Sequence, residues 1–389
     1  MRIALVHDFL NQYGGAERVL EQLHHLFPAA PIYTSMYEPS AMPNAYRAWD
    51  IRTSFMQRLP MVTQRHQAYL MAYPLAFESF DFSNYDVVIS NSSAFCKGVV
   101  TGPETLHLSY CLTPMRWAWR YRDYVSHEDI GPIARFALPP FIHYLRLWDV
   151  TSAQRVDRFV GISRAVATRI RKYYGREADI IYPPVDTARF TPNGASGDYY
   201  LTVGRLVPYR RIDLIVDAFN ELGLPVKIVG VGRDRARLQS RARANVEFLG
   251  KVDDNTLTGL YANCRAYLFP GEEDFGIAPV EAQAAGRPVV AYAAGGALDT
   301  VQDGETGALF HEQTSSALIE AVRRLERTSF DARRIRANAE RFSVSVFRER
   351  FGEYVVGSHR EWRLRAPPEQ PRFPRGITSV QSTKEHSWN

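Results

Sequence analysis

Cysteine is scarce in this chain. Its 389 residues include three, Cys96, Cys111 and Cys264, odd in number, far apart, and without CxxC or Cys/His spacing. That excludes a disulfide framework and supplies no ligand set for zinc. Buried free thiols in a reducing compartment are the expectation. Long apolar runs are also missing. Nothing approaches the roughly 20 apolar residues of a membrane-spanning helix. The opening run Ile3-Ala4-Leu5-Val6 is too short, and too soon followed by polar residues, for a secretory leader. A cytoplasmic protein is expected, with peripheral contact at the inner face of the membrane compatible with the composition. Neither sign of charge dominates: 47 Lys and Arg against 42 Asp and Glu leave +5. This balance suits an anionic ligand or an anionic membrane surface, and it is too small and dispersed for nucleic acid. The dinucleotide fingerprint GxGxxG is absent, which disfavours an NAD oxidoreductase. No D-x-D pair is present either, and no metal is expected.

What the chain does have is alternation. Short strand candidates at Ile3 to Val6, Asp86 to Ser90, His107 to Cys111, Arg158 to Ile162 and Asp179 to Tyr182 alternate with helical patterns such as Ala16 to His25 and Arg164 to Tyr174. Strands alternating with helices predict parallel βαβ units. The stiff Pro183-Pro184-Val185-Asp186 and the turn-rich segment 193–198 interrupt the series. A second series follows, with strands at Tyr200 to Val203, Val226 to Val229, Val246 to Phe248, Ala266 to Phe269 and Pro288 to Ala291. The reading is two successive α/β domains, 1–185 and 186–342, with a hinge near 183–198. Helical patterns at Ser315 to Glu326, Ala332 to Arg341 and Val344 to His359 close the chain. Residues 366–389, rich in Pro, Arg, Ser and Thr, read as a disordered tail.

The most informative segment runs from Phe269 to Ala282: a buried strand, a loop containing Gly271 and Gly276, and a helix. Pro279 fits its first helical position, and Gly286-Arg287-Pro288 stops it. Glu273 falls in the loop and Glu281 in the first helical turn. Carboxylates accept paired hydrogen bonds from sugar or ribose hydroxyls. The N–H groups of Phe275, Gly276 and Ile277 lead into a helix N-terminus, whose positive partial charge favours phosphate. Two glutamates alone would be solvated surface; the whole run in register argues for a site.

With this segment the sequence resembles the retaining GT-B glycosyltransferases of family 4, in their bacterial mannosyltransferase-like branch. The resemblance extends from residue 1 to about 355. It implies two Rossmann-like domains facing across a cleft, the first taking the acceptor and the second the donor nucleotide. It also implies a helix over 343–365 that returns to the first domain. The E-x7-E motif of the family matches Glu273 and Glu281, so the resemblance implies that Glu273 contacts the donor sugar and Glu281 the ribose.

Further segments extend this picture. In Val203-Gly204-Arg205-Leu206-Val207-Pro208-Tyr209-Arg210, two guanidinium groups are spaced to flank a diphosphate; the family has Arg at the first position and Lys where Arg210 stands. Gly14-Gly15 precedes a helix and lets backbone approach a ligand closely. An ordinary βα turn fits that spacing equally well, but relatives use the loop to cover the donor phosphate. Gly230-Val231-Gly232 is a common turn near the base in the family. Gly295-Gly296-Ala297-Leu298-Asp299 reads as mainly structural. On the acceptor side stand His7, Asp8, Arg116 and Trp117, within a cluster that continues through Trp119, Arg120 and Tyr121; aromatic faces suit sugars and arginines suit a pyrophosphate. The apolar run Phe136 to Ile142, flanked by Arg135 and Arg146, fits a membrane surface or a helix–helix core. Leu112 stands where relatives carry His. His107 is no substitute, because strand alternation turns it to the opposite face, whereas His7 is placed better.

The expected activity is metal-independent, retaining transfer of a hexose, mannose from GDP-mannose in the first instance, to a lipid-linked saccharide acceptor in surface polysaccharide synthesis. Glu273, Arg205 and Arg210 would carry it. The sugar nucleotide would be a co-substrate, and no cofactor is expected. The alternatives are a UDP-sugar donor or a catalytically silent nucleotide-sugar binder, the latter suggested by Leu112.

Overall fold

The computed structural model describes residues 1–119, 132–193 and 197–365. Two parallel sheets organise it. The first has the order β3-β2-β1-β4-β5-β6-β7, with β1 at Ile3–His7, β2 at Ile32–Thr34, β3 at Ile51–Thr53, β4 at Val87–Ser92, β5 at Leu106–Cys111, β6 at Arg158–Gly161 and β7 at Ala178–Ile180. The second has the order β10-β9-β8-β11-β12-β13, with β8 at Tyr200–Val203, β9 at Val226–Val229, β10 at Val246–Gly250, β11 at Tyr267–Phe269, β12 at Val289–Tyr292 and β13 at Gly307–Phe310. β1, β4 and β5 are buried along their whole length, as expected of parallel strands covered on both faces. Three strands went unforeseen: β2, β3 and β13.

Strand order reverses between β1 and β4 in the first sheet and between β8 and β11 in the second. In open parallel sheets the loops leaving the carboxyl ends of strands at such a reversal diverge and leave a crevice for ligands. The loops that follow β1, β8 and β11 are those holding Gly14-Gly15, Arg205 to Arg210, and Glu273 to Gly276.

The chain crosses between the sheets twice, side by side. Val185 donates its N–H to the Phe342 carbonyl at 2.9 Å, and Val185 bridges Ser343 in parallel. The final helix, Val344–Arg365, lies on the first domain. Its Phe347 and Phe351 rings sit 5.7 and 5.3 Å from that of Tyr110 on β5, and Arg348 holds Gln22 Oε1 at 2.6 Å. Such aromatic contacts contribute about 0.5–1.5 kcal/mol each beyond area burial. All three cysteines are buried and unpaired. Among the described residues no helix is long and apolar enough to cross a membrane. The tail 366–389, Arg120 and Tyr121 lie outside the described residues, as do the side chains of Arg135 to Ala137. Of the rest of that apolar run, Ile142 is buried, while Phe141 is exposed together with Tyr144 and Leu147 on the helix Pro132–Ala153.

Candidate functional site

The loop after β11 owes its shape to glycine. Gly276 has φ +86° and caps the helix Ile277–Ala284, a backbone conformation that costs glycine little and other residues more. A Cβ on Gly276 would also fall 2.9 Å from Phe269 Cζ. The helix therefore begins at Ile277, not at Pro279. Pro279 is its third residue, where a missing N–H still costs no intrahelical bond. Glu281 is correspondingly the fifth residue rather than a member of the first turn. The amides of Phe275, Gly276 and Ile277 precede the first intrahelical bond and remain available as donors at a positive helix end. The Phe275 side chain points elsewhere, buried between Tyr182 and Phe342 with ring centroids at 6.0 and 5.5 Å.

Gly295 and Gly296 brace this loop. A Cβ on Gly295 would meet the Glu273 carbonyl at 2.2 Å, and one on Gly296 the Phe275 Cα and carbonyl at 2.2 Å. In their absence Gly296 N–H donates to the Glu273 carbonyl at 2.8 Å.

The turn after β8 lies alongside. Arg205 is exposed, with Tyr209 Oη 3.5 Å from its Nη2. The Arg210 side chain lies over Gly204, where a Cβ would come within 2.1 Å of Nη1. Its next neighbour, Arg211, takes a left-handed φ of +54°, at a cost of roughly 1–2 kcal/mol; the Arg211 guanidinium is tied to Asp213 at 3.2 Å. Arg210 Nη2 approaches Glu273 Oε1 to 2.9 Å, yet the alignment is not that of a hydrogen bond. Arg210 Nε and Glu273 Oε1 are buried without a hydrogen-bond partner. Burial opposes the Arg210 charge, and the Glu273 carboxylate with Tyr209 and Tyr267 together outweigh it, so its pKa is raised. Buried polar atoms normally find partners, and two unsatisfied ones on one ion pair mark a site that a polar ligand can complete.

Glu281 is buried, and burial raises its pKa above the ordinary 4.5. Its Oε2 accepts from Tyr261 Oη at 2.9 Å, while its Oε1 lies 3.8 Å from Arg18 Nη1 of the first domain.

The glycine loop of the first domain meets the helix start directly: a Cβ on Gly15 would lie 3.3 Å from Ile277 Cδ1. Gly14 caps the helix Gly15–Leu26, and Glu17 Oε2 accepts from Gly14 N–H at 2.7 Å. Two helix N-termini, at Gly15 and Ile277, thus converge on one crevice.

The residues read as the acceptor side divide. His7 and Asp8 are each 2 % exposed and belong to the framework. The Asp8 carboxylate accepts from the amides of Ser93, Ala94, Phe95 and Cys96 at 2.7–3.0 Å and from Ser93 Oγ at 2.8 Å, which fills its lone pairs. His7 lies between Glu17, 3.3 Å from Nε2, and Asn91, 3.2 Å from Nδ1. Arg116 does reach the cleft, pairing with Asp274. Trp117 is half-buried, its ring 6.1 Å from that of Phe95. Trp119 stacks on Tyr173 at 4.4 Å and donates to Asp149 at 2.7 Å, a structural anchor. Leu112 is half-buried against the core. His107 is fully buried beside Ser90 Oγ at 2.9 Å, and burial pushes its pKa down to about 3, so it remains neutral.

The sequence reading overlooked a set of cross-cleft ion pairs. Arg164 on the first domain binds Asp299 at 2.5 Å, and Asp299 also accepts from Tyr182 Oη at 3.1 Å. Arg169 binds Glu272 at 2.9 Å and pairs with Asp274. Arg18, Arg116, Arg164 and Arg169 all come from one side of the cleft, and their carboxylate partners from the other. The charge pattern of the helix Arg164–Tyr174 was the available signal.

Two parallel α/β domains with crevices at facing strand reversals define a GT-B fold. HepE of Anabaena, solved with UDP, matches with a TM-score of 0.68 at 17% identity, over 92% of this chain and 100% of that one. The lipopolysaccharide outer core galactosyltransferase WaaB matches with a TM-score of 0.66 at 17% identity, over 92% and 100%. The second domain carries the signature of the glycosyl transferases group 1 family, whose model matches residues 189–342. A GDP-mannose-dependent alpha-mannosyltransferase of Mycobacterium tuberculosis is 30% identical over 223 residues, 54% of this chain and 58% of that protein. The O-antigen chain mannosyltransferase C of Escherichia coli is 30% identical over 158 residues, 39% and 43%. The chain spans about half the length of the curated relatives it matches.

Proposed function

We propose that the protein is a retaining glycosyltransferase that moves mannose from GDP-mannose to a lipid-linked saccharide in surface polysaccharide synthesis. The observation that carries the donor site is the Arg210–Glu273 pair, close in space and short of partners, beneath two converging helix N-termini. In this reading Glu281 accepts from the ribose hydroxyls, and the Arg205 and Arg210 cations hold the diphosphate together with the amides of Phe275 to Ile277. Glu273 Oε1 takes hydrogen bonds from the sugar. The glycine loop at Gly14 and Gly15 closes over the phosphates. Arginines and helix ends supply the positive field in place of a metal.

The acceptor hydroxyl attacks the anomeric carbon from the face that the diphosphate leaves. The new glycosidic C–O bond forms as the sugar–phosphate C–O bond breaks, and the acceptor proton passes to the departing phosphate oxygen. No side-chain nucleophile is then required. Relatives named as mannosyltransferases favour the sugar and the base. The exposed Phe141, Tyr144 and Leu147 suit peripheral contact with the membrane that would hold a lipid-linked acceptor.

Calorimetric titration with GDP, UDP, ADP and NAD tests the reading, with Glu281→Ala as control. GDP binding that the variant loses supports it. A preference for UDP moves the donor to a UDP-sugar. Absence of binding to every nucleotide removes the donor site and overturns the reading, whereas nucleotide binding without sugar transfer leaves a silent binder.

A further inference from the structure

Glu272, Glu273 and Asp274 are consecutive carboxylates in a loop without regular structure, yet they do not point the same way. Glu273 turns to Arg210 within its own domain, at 2.9 Å. Its two neighbours turn to Arg169 of the other domain: Nη2 reaches Glu272 Oε1 at 2.9 Å, and Nη1 pairs with Asp274. One guanidinium fork therefore grips the residues on both sides of Glu273. Arg116 adds a second cation to Asp274. The fork is well shielded, with Arg169 and Asp274 side chains 15 % and 13 % exposed, so solvent screens it less than an ordinary surface pair.

The helix carrying the fork is fixed. Ser163 Oγ caps Arg164–Tyr174 at 3.1 Å from the Val166 amide, and Gly175, at φ +64°, ends it. The same helix anchors Arg164 on Asp299, just beyond the Gly295-Gly296 brace. The donor loop is thus held from behind by glycine contacts of its own domain and in front by arginines of the other.

We infer that Arg169 is a positioning residue of the first domain: by clamping Glu272 and Asp274 it aims the intervening Glu273 at the donor sugar, and so couples approach of the domains to assembly of the sugar site. The part played by Glu273 rests on the functional reading above; the clamp itself does not. Arg169 touches no donor atom in this scheme. Its loss weakens recognition of the sugar and leaves the nucleotide, held by Arg205, Glu281 and the helix amides, bound as before.

Two measurements on the full chain test it, using Arg169→Ala, Arg169→Lys and, as control, Arg171→Ala. Arg171 lies on the same helix, exposed, with Glu177 at 3.8 Å. The first measurement is hydrogen exchange of the peptide covering 270–276. The clamp requires exchange there to rise about tenfold or more in Arg169→Ala, less in Arg169→Lys, which keeps charge but loses the fork, and not at all in Arg171→Ala. Unchanged exchange in Arg169→Ala overturns the clamp. The second is the affinity ratio of GDP-mannose to GDP, and of UDP-glucose to UDP. For the nucleotide that binds, positioning requires the ratio to fall about tenfold in Arg169→Ala while affinity for the bare nucleotide holds. Equal losses of both affinities mark a merely structural residue and overturn the proposal. If the wild-type chain binds no nucleotide, the functional reading falls, and the exchange result still decides the clamp.

Discussion

Replacing Gly296 by alanine isolates one contact of the site. Gly296 has φ −69°, a value open to any residue, so the substitution introduces no backbone strain. What it introduces is a methyl group 2.2 Å from both Cα and the carbonyl of Phe275, well inside van der Waals contact. The obstructing atoms are backbone and cannot rotate aside. Overpacking of this kind costs typically about 1–3 kcal/mol. Displacing the loop also endangers the 2.8 Å bond from Gly296 N–H to the Glu273 carbonyl, worth about 0.5–1.5 kcal/mol net. Together they destabilise the native loop by roughly 2–4 kcal/mol. Gly259 supplies the matched control: it lies in the helix Asp254–Asn263 with nothing within 4 Å of a built Cβ. There alanine should stabilise by about 0.5–1 kcal/mol through helix propensity and the unfolded chain. Urea denaturation reads both effects, and nucleotide titration reads the loop. Gly296→Ala should lower the midpoint and abolish nucleotide binding, while Gly259→Ala raises the midpoint and binds normally. A Gly296→Ala protein with wild-type stability and affinity would refute the bracing argument, since the loop would then tolerate a shift that its packing forbids.

Asp8→Asn tests the assignment of Asp8 to the framework. Asparagine keeps one acceptor oxygen and turns an NH2 toward at least two of the donors at Ser93 to Cys96, a loss of about 2–6 kcal/mol at 1–3 per unsatisfied buried group. The urea midpoint should fall sharply; an unchanged one would return Asp8 to the candidates for chemistry. Glu281 makes stability and binding move oppositely with pH. Its raised pKa means that the folded state keeps the proton after the unfolded chain has lost it, so stability declines as pH rises above 4.5 and through the raised value. Affinity for the nucleotide climbs over the same window as the carboxylate forms. Glu281→Gln should flatten both profiles; a variant that retains the wild-type pH dependence of binding would assign the titration elsewhere.

What could be read from the sequence was whatever a single strand–loop–helix segment contains. The buried strands before each loop announced themselves by apolar runs, and the glycines by their position after them. The strands β2, β3 and β13 are three or four residues each. They are strands because a neighbour is there to pair with: Ile32 to Thr34 sit in register with Leu5 to His7. The start of the helix at Ile277 was misplaced for a related reason. Proline marks a helix start in general, but here the left-handed Gly276 acts first, with Phe269 packed where a Cβ would sit.

Residue chemistry proved a better guide than residue partnership. A His-Asp pair at the end of a first strand looks like a reactive pair. Its actual partners, Glu17 and Asn91 for one and four successive amides for the other, lie up to 88 residues away. The cross-cleft pairs are more distant still, Arg169 and Asp274 lying 105 residues apart. Net charge concealed them as well. A total of +5 is a sum over the whole chain, and a sum cannot show that four arginines face four carboxylates across one cleft. Such segregation leaves each wall repelling itself when the domains part and attracting its opposite when they meet. The two α/β units are therefore complementary in charge across one cleft, and the residues that make them so can be recognised only once both walls are in place.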